Sequence, residues 1–187
     1  CEKEKIEIET QMLGEFQAEN AALAVILCRE VFREKKINMD EIIKKGIKNT
    51  FLPGRMQIIS RKPDIIIDGA HNADSMRNLI ESIKKIFNNK NIVLIFGIAK
   101  DKDIKGVCDE IKGKGFDIIL TKVNNPRACD VGIIKGYLKG ERTILTNNVK
   151  EALGNAFNLA KENDIILGAG SFYLISEMSL LLMKQKA

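Results

Sequence analysis

The chain has 187 residues, 45% of them hydrophobic, so it can bury the core of one full domain, with or without a piece of a second. No apolar run approaches the roughly 20 residues that a membrane helix needs, and no signal peptide is recognisable, so we expect a cytoplasmic protein without membrane contact. The formal charge of +5 arises from interleaved basic and acidic residues, not from a basic block with aromatics, which argues against nucleic acid as a partner.

The first 50 residues are predicted to be mainly helical. A short strand, IEIET (6–10), precedes a helix in FQAENAALAVILCREVF (16–32), whose apolar residues fall on more than one face and therefore predict a buried helix. A second helix, MDEIIKKGIKN (39–49), follows with Asn38 or Asp40 near its start. Pro53 and Gly54 then form a strong turn signal, and we place a domain boundary near Thr50.

After this boundary, short apolar runs alternate with segments of amphipathic helical period. The runs are too apolar to be buried on one face only, so they predict parallel strands covered by helices on both sides. MQIISRK (56–62) alternates more and predicts an edge strand, perhaps antiparallel. The fold class is therefore α/β, a Rossmann-like, mostly parallel sheet of about six strands with helices on both faces. The five apolar runs are DIIID (64–68), NIVLIFG (91–97), FDIILT (116–121), RTILT (142–146) and DIILG (164–168).

The loops at the carboxyl ends of these strands are the candidate ligand sites, because open α/β sheets bind ligands there. DGAHN (68–72) is the richest of them and contains His71, the single histidine of the chain. Two readings stay open from the residues alone. Asp68 and Asn72 are caps of the following helix, or Asp68 holds a ribose hydroxyl or a cation at the tip of the strand.

Other loops carry weaker signals. GAGS (168–171) suits a phosphate or carboxylate, but glycines in such turns more often serve packing. Arg55 is placed to reach a ligand at the domain junction, or is an ordinary exposed arginine. No nucleophile motif accompanies the histidine, and the four cysteines form no CxxC pair, so neither a catalytic triad nor a metal site is indicated. The charged loop residues Asp101, Lys102, Asp103 and Arg127 receive no role.

Six segments in a fixed order resemble the C-terminal part of the folylpolyglutamate synthase family, which includes bifunctional dihydrofolate synthases and belongs to the Mur ligase superfamily. The resemblance covers nearly the whole chain, and PGR followed by DGAHN is its most specific element. The segments are LGEFQAENAALA (13–24), LPGRMQ (52–57), DGAHN (68–72), FGIAKDKD (96–103), PRA (126–128) and GSFYLISE (170–177).

The resemblance implies a domain organisation and a reaction. Residues 1–50 would be the end of a central ATPase domain and residues 51–187 the C-terminal, glutamate ligase domain. Such enzymes use ATP and Mg²⁺ to convert a carboxylate of a reduced folate into an acyl phosphate, which the amine of L-glutamate attacks. The physical demands are neutralisation of phosphate charge, positioning of the amine and exclusion of water.

The resemblance also implies roles for five residues. Asn20 and Arg55 would contact ATP, and Asp68 would hold the nucleotide through its ribose hydroxyls. His71 and Ser171 would lie near the incoming glutamate and orient its carboxylate or amine. A role in binding suits His71 better than a role as general base, because attack on an acyl phosphate needs an already neutral amine more than a powerful base.

The chain departs from the family pattern in two places. Phe16 stands where the family commonly has a histidine, which weakens a polar role there. No P-loop and no magnesium ligands of the preceding ATPase domain are found, and the chain begins with Cys1 instead of methionine. We therefore expect a fragment of a longer protein that needs its N-terminal ATPase domain and is inactive alone.

Two other interpretations remain at this stage. The first is a different Mur-type ligase that joins another amino acid to another carboxylate, which a substrate panel distinguishes. The second is a non-catalytic module that binds a nucleotide or an amino acid, which an upstream P-loop in the natural reading frame would disfavour. A dinucleotide-dependent oxidoreductase is disfavoured because the first strand-to-helix turn lacks GxGxxG.

Overall fold

The computed structural model of the protein describes residues 5–34, 38–88 and 90–184. It divides the chain into two compact units, Cys1–Pro53 and Gly54–Ala187. The division falls at the Pro-Gly turn, close to the predicted boundary. Within the described ranges, no helix is long and apolar enough to cross a membrane.

The first unit contains two helices, α1 (Glu15–Val31) and α2 (Met39–Asn49). Asn38 caps α2 by accepting a hydrogen bond from the backbone N–H of Glu41 at 3.4 Å. Arg29 on α1 donates from Nε and Nη2 to the two carboxylate oxygens of Asp40 at 2.9 and 2.6 Å. This two-point ion pair fixes the two helices against each other.

Two expectations for the first unit are wrong. IEIET does not form a strand, because the described part of this unit offers no other strand whose backbone could pair with it. Helix α1 is not buried all round: it buries Gln17, Ala21 and Val25, whereas several large apolar side chains stay exposed. One neighbouring helix can cover only one of its faces. The exposed large apolar residues of α1 are Leu23, Ile26, Leu27 and Val31.

The second unit is built on one six-stranded sheet with the order β1-β2-β6-β3-β4-β5. All neighbouring pairs are parallel except β1 and β2, which are antiparallel at the edge of the sheet. This confirms the mostly parallel sheet predicted from the apolar runs, including the edge strand at 56–62. The strands are β1 (Gln57–Ser60), β2 (Asp64–Ile67), β3 (Ile92–Phe96), β4 (Asp117–Thr121), β5 (Thr143–Thr146) and β6 (Ile165–Ala169).

Helices cover both faces of this sheet. On one face, Ile65 and Ile67 of β2 join a buried cluster with residues of the last two helices, including Ala152 and Met178. Ile66 points to the opposite face and is fully buried as well. The helices of this unit are α3 (Ala73–Ile86), α4 (Ile104–Ile111), α5 (Val131–Tyr137), α6 (Val149–Leu159) and α7 (Phe172–Lys184).

Strand β5 departs from the prediction that every apolar run is buried on both faces. Its central residues Ile144 and Leu145 are exposed. The reason is position, because β5 is the last strand of the sheet and pairs with β4 alone. Apolar content therefore identified the strand correctly but could not distinguish an edge strand from a central one.

Candidate functional site

The carboxyl ends of β2, β6 and β3 are adjacent in the sheet, so the loops that follow these strands lie side by side. Backbone hydrogen bonds join them. Gly170 donates to the carbonyl of Ala70 at 2.8 Å, and Gly97 donates to the carbonyl of Ala169 at 3.4 Å. The loops 68–72, 97–103 and 168–171, which the sequence placed far apart, therefore form one continuous edge.

Asp68 is the most buried carboxylate at this edge, with 3% of its surface exposed. The backbone N–H of Met56 donates to its Oδ2 at 2.8 Å, and the N–H of Ala70 donates to its Oδ1 at 2.8 Å. Asp68 therefore holds the turn at 54–56 and the turn of DGAHN together. It does not cap α3.

Burial raises the pKa of Asp68, since a charged carboxylate loses hydration there. The two backbone donors, with the positive charge of Arg55 and the nearby His71, act in the opposite direction but do not cancel the effect of burial. An aspartate held in this way gives the site a rigid frame with a carboxylate that is costly to keep charged.

Arg55 sits in a tight turn that the rest of the site stabilises. Gly54 and Met56 both have positive φ, 70° and 43°, so the chain turns sharply on either side of the arginine. The N–H of Gly54 donates to Gln57 Oε1 at 3.0 Å, and the carbonyl of Gly54 accepts from the N–H of Gly69 at 2.8 Å. The position of Arg55 thus depends directly on the DGAHN turn.

His71 is half-buried, and its ring orientation is set by one hydrogen bond. Nδ1 lies 2.7 Å from the carbonyl oxygen of Gly69. Because a carbonyl only accepts, Nδ1 carries the hydrogen, and in the neutral ring Nε2 then has a free lone pair. Among the described residues, Nε2 has no hydrogen-bond partner. It is the ring nitrogen that is available to a ligand.

Asn72 caps α3, as one of the two interpretations of DGAHN predicted. Its side chain accepts from the N–H of Ser75 at 2.8 Å, and Ser75 Oγ in turn accepts from the N–H of Asn72 at 3.2 Å. This reciprocal pair is a capping box at the start of α3. Ser75 Oγ also accepts from the N–H of His71 at 3.1 Å, so the cap helps to fix the histidine.

Ser171 lies at the start of α7 and is buried. Its Oγ accepts from the N–H of Leu174 at 3.1 Å, the contact of a helix N-cap residue. Its hydroxyl hydrogen has no acceptor in the described part of the chain and can make a second hydrogen bond. The structure therefore gives Ser171 a local role, and its predicted contact with an amino acid stays a prediction.

Phe172 is a site residue that sequence reasoning missed. Its ring lies between two predicted site residues: the guanidinium carbon of Arg55 is 5.1 Å from its centroid, and the His71 ring centroid is 6.2 Å away at an interplanar angle of 57°. The sequence signals for it are its place directly after GAGS and inside GSFYLISE (170–177), and neither gives this side chain a role.

Asp101 and Arg127, which received no role, form an ion pair at the same edge. Arg127 donates from Nη2 and Nε to the two oxygens of Asp101 at 2.6 and 3.2 Å. The hydrogen bond from Arg127 lowers the pKa of Asp101, and the contacts with Asp101 and Tyr173 raise the pKa of Arg127. Asp103 caps α4 by accepting from the N–H of Gly106 at 2.9 Å. Both carboxylates of this loop therefore have structural partners.

Of the five predicted site residues, four lie in the second unit at this edge: Arg55, Asp68, His71 and Ser171. Asn20 lies in the first unit on α1, where it is exposed and its Nδ2 donates to Gln17 Oε1 at 3.1 Å. Within the described ranges, no group of three or more His, Cys, Asp or Glu side chains is arranged to hold a metal ion. The edge instead presents the guanidinium of Arg55, which lies over the Phe172 ring, and Nε2 of His71, which suit anionic and amine ligands respectively.

A known family model matches the part of the chain that forms this edge. The family model "Mur ligase, glutamate ligase domain" matches residues 54–172, which include Arg55, Asp68, His71 and Ser171. A dihydrofolate synthase/folylpolyglutamate synthase of Buchnera aphidicola is 32% identical over 91% of this chain and 41% of the relative. A folylpolyglutamate synthase of Lacticaseibacillus casei is 29% identical over 97% of this chain and 42% of the relative.

Solved structures share the same fold. A bifunctional folylpolyglutamate synthase/dihydrofolate synthase from Yersinia pestis, complexed with AMPPNP and a Mn ion, superposes with a TM-score of 0.82 at 24% identity. The similarity covers 98% of this chain and 43% of that chain. The chain thus spans about two fifths of the length of the two synthases from Buchnera aphidicola and Lacticaseibacillus casei.

Proposed function

The chain belongs to the Mur ligase glutamate ligase domain family, and from this premise we propose that it forms part of an ATP-dependent ligase that adds L-glutamate to the glutamate tail of a reduced folate. The observation that carries the proposal is that Asp68 joins the turn of Arg55 to the turn of His71, inside the matched residues. The names of the relatives supply the substrate class.

The proposed reaction has two steps. A carboxylate oxygen of the folate tail attacks the γ-phosphorus of ATP, which gives an acyl phosphate and ADP. The neutral amine of L-glutamate then attacks the acyl carbon, the C–O bond breaks, phosphate leaves with the former carboxylate oxygen, and the nitrogen loses a proton. The protein must therefore stabilise phosphate charge and align an amine.

Arg55 is assigned to the phosphates of ATP. A guanidinium is always charged and binds phosphate oxygens through several donors at once. Its turn is held by the hydrogen bond from Gly69 to Gly54 and by the bond from Met56 to Asp68. A cation that is already positioned loses less conformational entropy when a phosphate binds.

Asp68 and Asn20 complete the proposed nucleotide contacts. Each oxygen of Asp68 accepts one backbone N–H, which leaves a second lone pair on each for a ribose hydroxyl. Asn20 presents an exposed side-chain amide on α1. Its contact with ATP rests on the resemblance of LGEFQAENAALA alone.

His71 and Ser171 are assigned to L-glutamate. With Nδ1–H donating to the carbonyl of Gly69, Nε2 of neutral His71 can accept a hydrogen bond from the attacking amine. The Ser171 hydroxyl keeps its own hydrogen for a carboxylate oxygen of the amino acid. Both groups position the nucleophile, which is the larger contribution when the electrophile is already activated.

Mg²⁺ is assigned to a preceding ATPase domain together with the P-loop, since the described residues offer no ligand cluster for a metal. A bound Mg²⁺ supplies charge neutralisation on the phosphates. The assignment of residues 1–50 to the end of that ATPase domain, and the inactivity of the 187-residue chain by itself, belong to the same proposal.

The test uses the protein encoded by the complete natural reading frame. ADP release should require ATP, a reduced folate and L-glutamate together. With ¹⁸O in the terminal carboxylate of the folate, one ¹⁸O should appear in the released phosphate, because the acyl phosphate transfers that oxygen. Phosphate without ¹⁸O would contradict the acyl phosphate, and ADP release that is independent of L-glutamate would contradict the ligase.

A dihydrofolate synthase activity is a second candidate, because the Buchnera relative carries both names. Dihydropteroate in place of the folate tests it in the same assay. A panel of other amino acids tests the alternative of a different Mur-type ligase, which predicts that another amino acid supports faster ADP release than L-glutamate.

A further inference from the structure

We propose that Phe172 is a positioning residue whose ring holds both the guanidinium of Arg55 and the imidazole of His71, and so couples nucleotide binding to amino-acid binding. The inference rests on the proposed function for the roles of these two residues. The role of Phe172 itself follows from geometry.

The ring is a shared contact of the two side chains. The Arg55 guanidinium carbon lies 5.1 Å from the centroid, within the range of a cation–π interaction. The tilted His71 ring at 6.2 Å lies within the range of aromatic pairs. One ring therefore restricts the group assigned to the phosphates and the group assigned to the amine.

The ring is itself held against glycine backbone. A Cβ added at Gly69 would lie only 2.4 Å from Cζ of Phe172, so the ring occupies the space that any other residue at 69 would fill. Phe172 is also the first residue of α7, directly after the cap formed by Ser171. The position of the ring is thus set from both ends, by the helix start and by the DGAHN turn.

Part of the ring still faces outward, with 42% of the residue exposed. More than half of the residue is buried, so apolar burial contributes to its position. The contacts with Arg55 and His71 add a direction to it, because they set which two polar groups the ring faces.

Two independent substitutions remove the ring from this place. Phe172→Leu keeps an apolar side chain but loses the aromatic face. Gly69→Ala leaves Phe172 unchanged but pushes its ring away, and Gly69 does not have the left-handed φ that would itself disfavour alanine. If both act through the ring, the double variant should be hardly worse than either single one.

The matched control is Phe157→Leu. Phe157 is exposed to a similar degree, 38%, and lies on α6, outside the residues placed at the site. It reports what the same substitution does to a partly exposed phenylalanine elsewhere in the fold.

The first measurement is the imidazole ¹H–¹³C NMR signal of the 187-residue chain, which contains a single histidine. The second is steady-state kinetics of the complete reading-frame protein. We expect Phe172→Leu and Gly69→Ala to shift the His71 signal. Both should also raise KM for ATP and for L-glutamate by roughly 2- to 30-fold, as expected for loss of cation–π and aromatic contacts, with a smaller change in kcat. Phe157→Leu should change neither.

The outcomes separate this inference from the proposed function. An unshifted His71 signal in Phe172→Leu, or a wild-type-like KM for both substrates, would overturn the role of Phe172 and leave the ligase intact. A loss of thermal stability with both KM values unchanged would also overturn it, since that result marks a purely structural residue. A wild-type protein that turns over neither ATP nor L-glutamate would instead refute the proposed function.

Discussion

The backbone N–H of Met56 donates to Oδ2 of Asp68 over 2.8 Å, and this bond joins the turn that carries Arg55 to the turn that carries His71. The second oxygen of Asp68 accepts from Ala70, inside the DGAHN turn itself. The turns of these two predicted site residues are thus held by one buried carboxylate. Any change in Asp68 should therefore affect both.

Asp68→Asn should destabilise the fold by about 1–3 kcal/mol at neutral pH. The amide group of asparagine places a donor opposite one of two backbone donors, Met56 or Ala70, and leaves that buried N–H unpaired. Urea unfolding of wild type and variant measures the difference. Asp101→Asn is the control, because Asp101 is exposed and its loss should have little effect on unfolding. An Asp68→Asn variant with the same free energy of unfolding as wild type would contradict the structural role of the two hydrogen bonds that Asp68 accepts.

Asp64 is the first residue of β2 and Asp68 directly follows the last one, and the two carboxylates should show opposite pH dependence. At Asp64, burial pushes the pKa upward, but the hydrogen bonds from Lys90 and Arg61 outweigh it and lower the pKa below its ordinary value of 3.8. A lowered pKa stabilises the fold above pH 3.8, and this stabilisation is lost as pH falls through the folded-state pKa. The stability difference between wild type and Asp64→Asn should therefore shrink in acid.

At Asp68 the sign is reversed. Because burial raises its pKa, the folded state binds the proton more tightly than the unfolded chain, and the charged form costs stability. That cost is absent below the ordinary value of 3.8 and is fully present above the raised pKa. The difference between wild type and Asp68→Asn should therefore grow in acid. Urea unfolding of wild type, Asp64→Asn and Asp68→Asn from pH 3 to 7 measures the two stability differences. If both differences changed with pH in the same direction, the assigned pKa shifts would be contradicted.

Arg55→Ala should raise KM for ATP by about 10- to 100-fold, the effect of losing a charged hydrogen-bond donor to phosphate. KM for L-glutamate should change less. Arg55→Lys keeps the charge but not the planar donor array, so it should recover only part of the loss. Steady-state kinetics of the complete reading-frame protein measure these values, and an unchanged KM for ATP would contradict the assignment of Arg55.

His71→Ala should raise KM for L-glutamate by about tenfold and leave KM for ATP nearly unchanged, since one hydrogen bond to the amine is lost. His71→Gln is the matched control, because its side-chain amide oxygen can replace the acceptor Nε2. An equal rise of both KM values, or an unchanged requirement for L-glutamate, would remove His71 from amino-acid binding.

The thiols of Cys108 and Cys129 should resist alkylation in the folded protein. Burial raises the pKa of Cys108 to about 12 and also raises the pKa of Cys129, so very little thiolate forms at pH 8. Cys28 is partly exposed and should react before both of them. Iodoacetamide labelling followed by peptide mass spectrometry, with and without urea, measures the order. Native labelling of Cys108 as fast as Cys28 would contradict its burial.

The strands could be predicted from sequence where their environment is symmetric. The apolar runs that became β2, β3, β4 and β6 have two covered faces, so composition alone identifies them. The strand predicted at IEIET does not form, and the strand at RTILT is not buried on both faces. Both depend on which strands pair in the folded protein, and a local sequence pattern does not contain that information. The apolar faces of α1 likewise did not reveal that only one of them is covered in this chain.

The sequence predicted which loops form the candidate site, but not the contacts of each side chain within them. The carboxyl-end rule selected the loops of His71 and Ser171, since it depends only on strand direction. It could not give Asp68 its role as a clamp, because its partners are backbone N–H groups, which no side-chain pattern displays. Phe172 escaped for a related reason: its neighbours Arg55 and His71 come from distant parts of the chain.

The most direct measurement of the central claim is mass spectrometry of the folate product. The complete reading-frame protein is incubated with ATP, Mg²⁺, a reduced folate and L-glutamate. The account predicts a product heavier by one glutamyl residue, formed in step with ADP, and strongly reduced in His71→Ala at low L-glutamate. ADP formation without a glutamylated folate, or glutamylation undiminished by loss of His71, would contradict it.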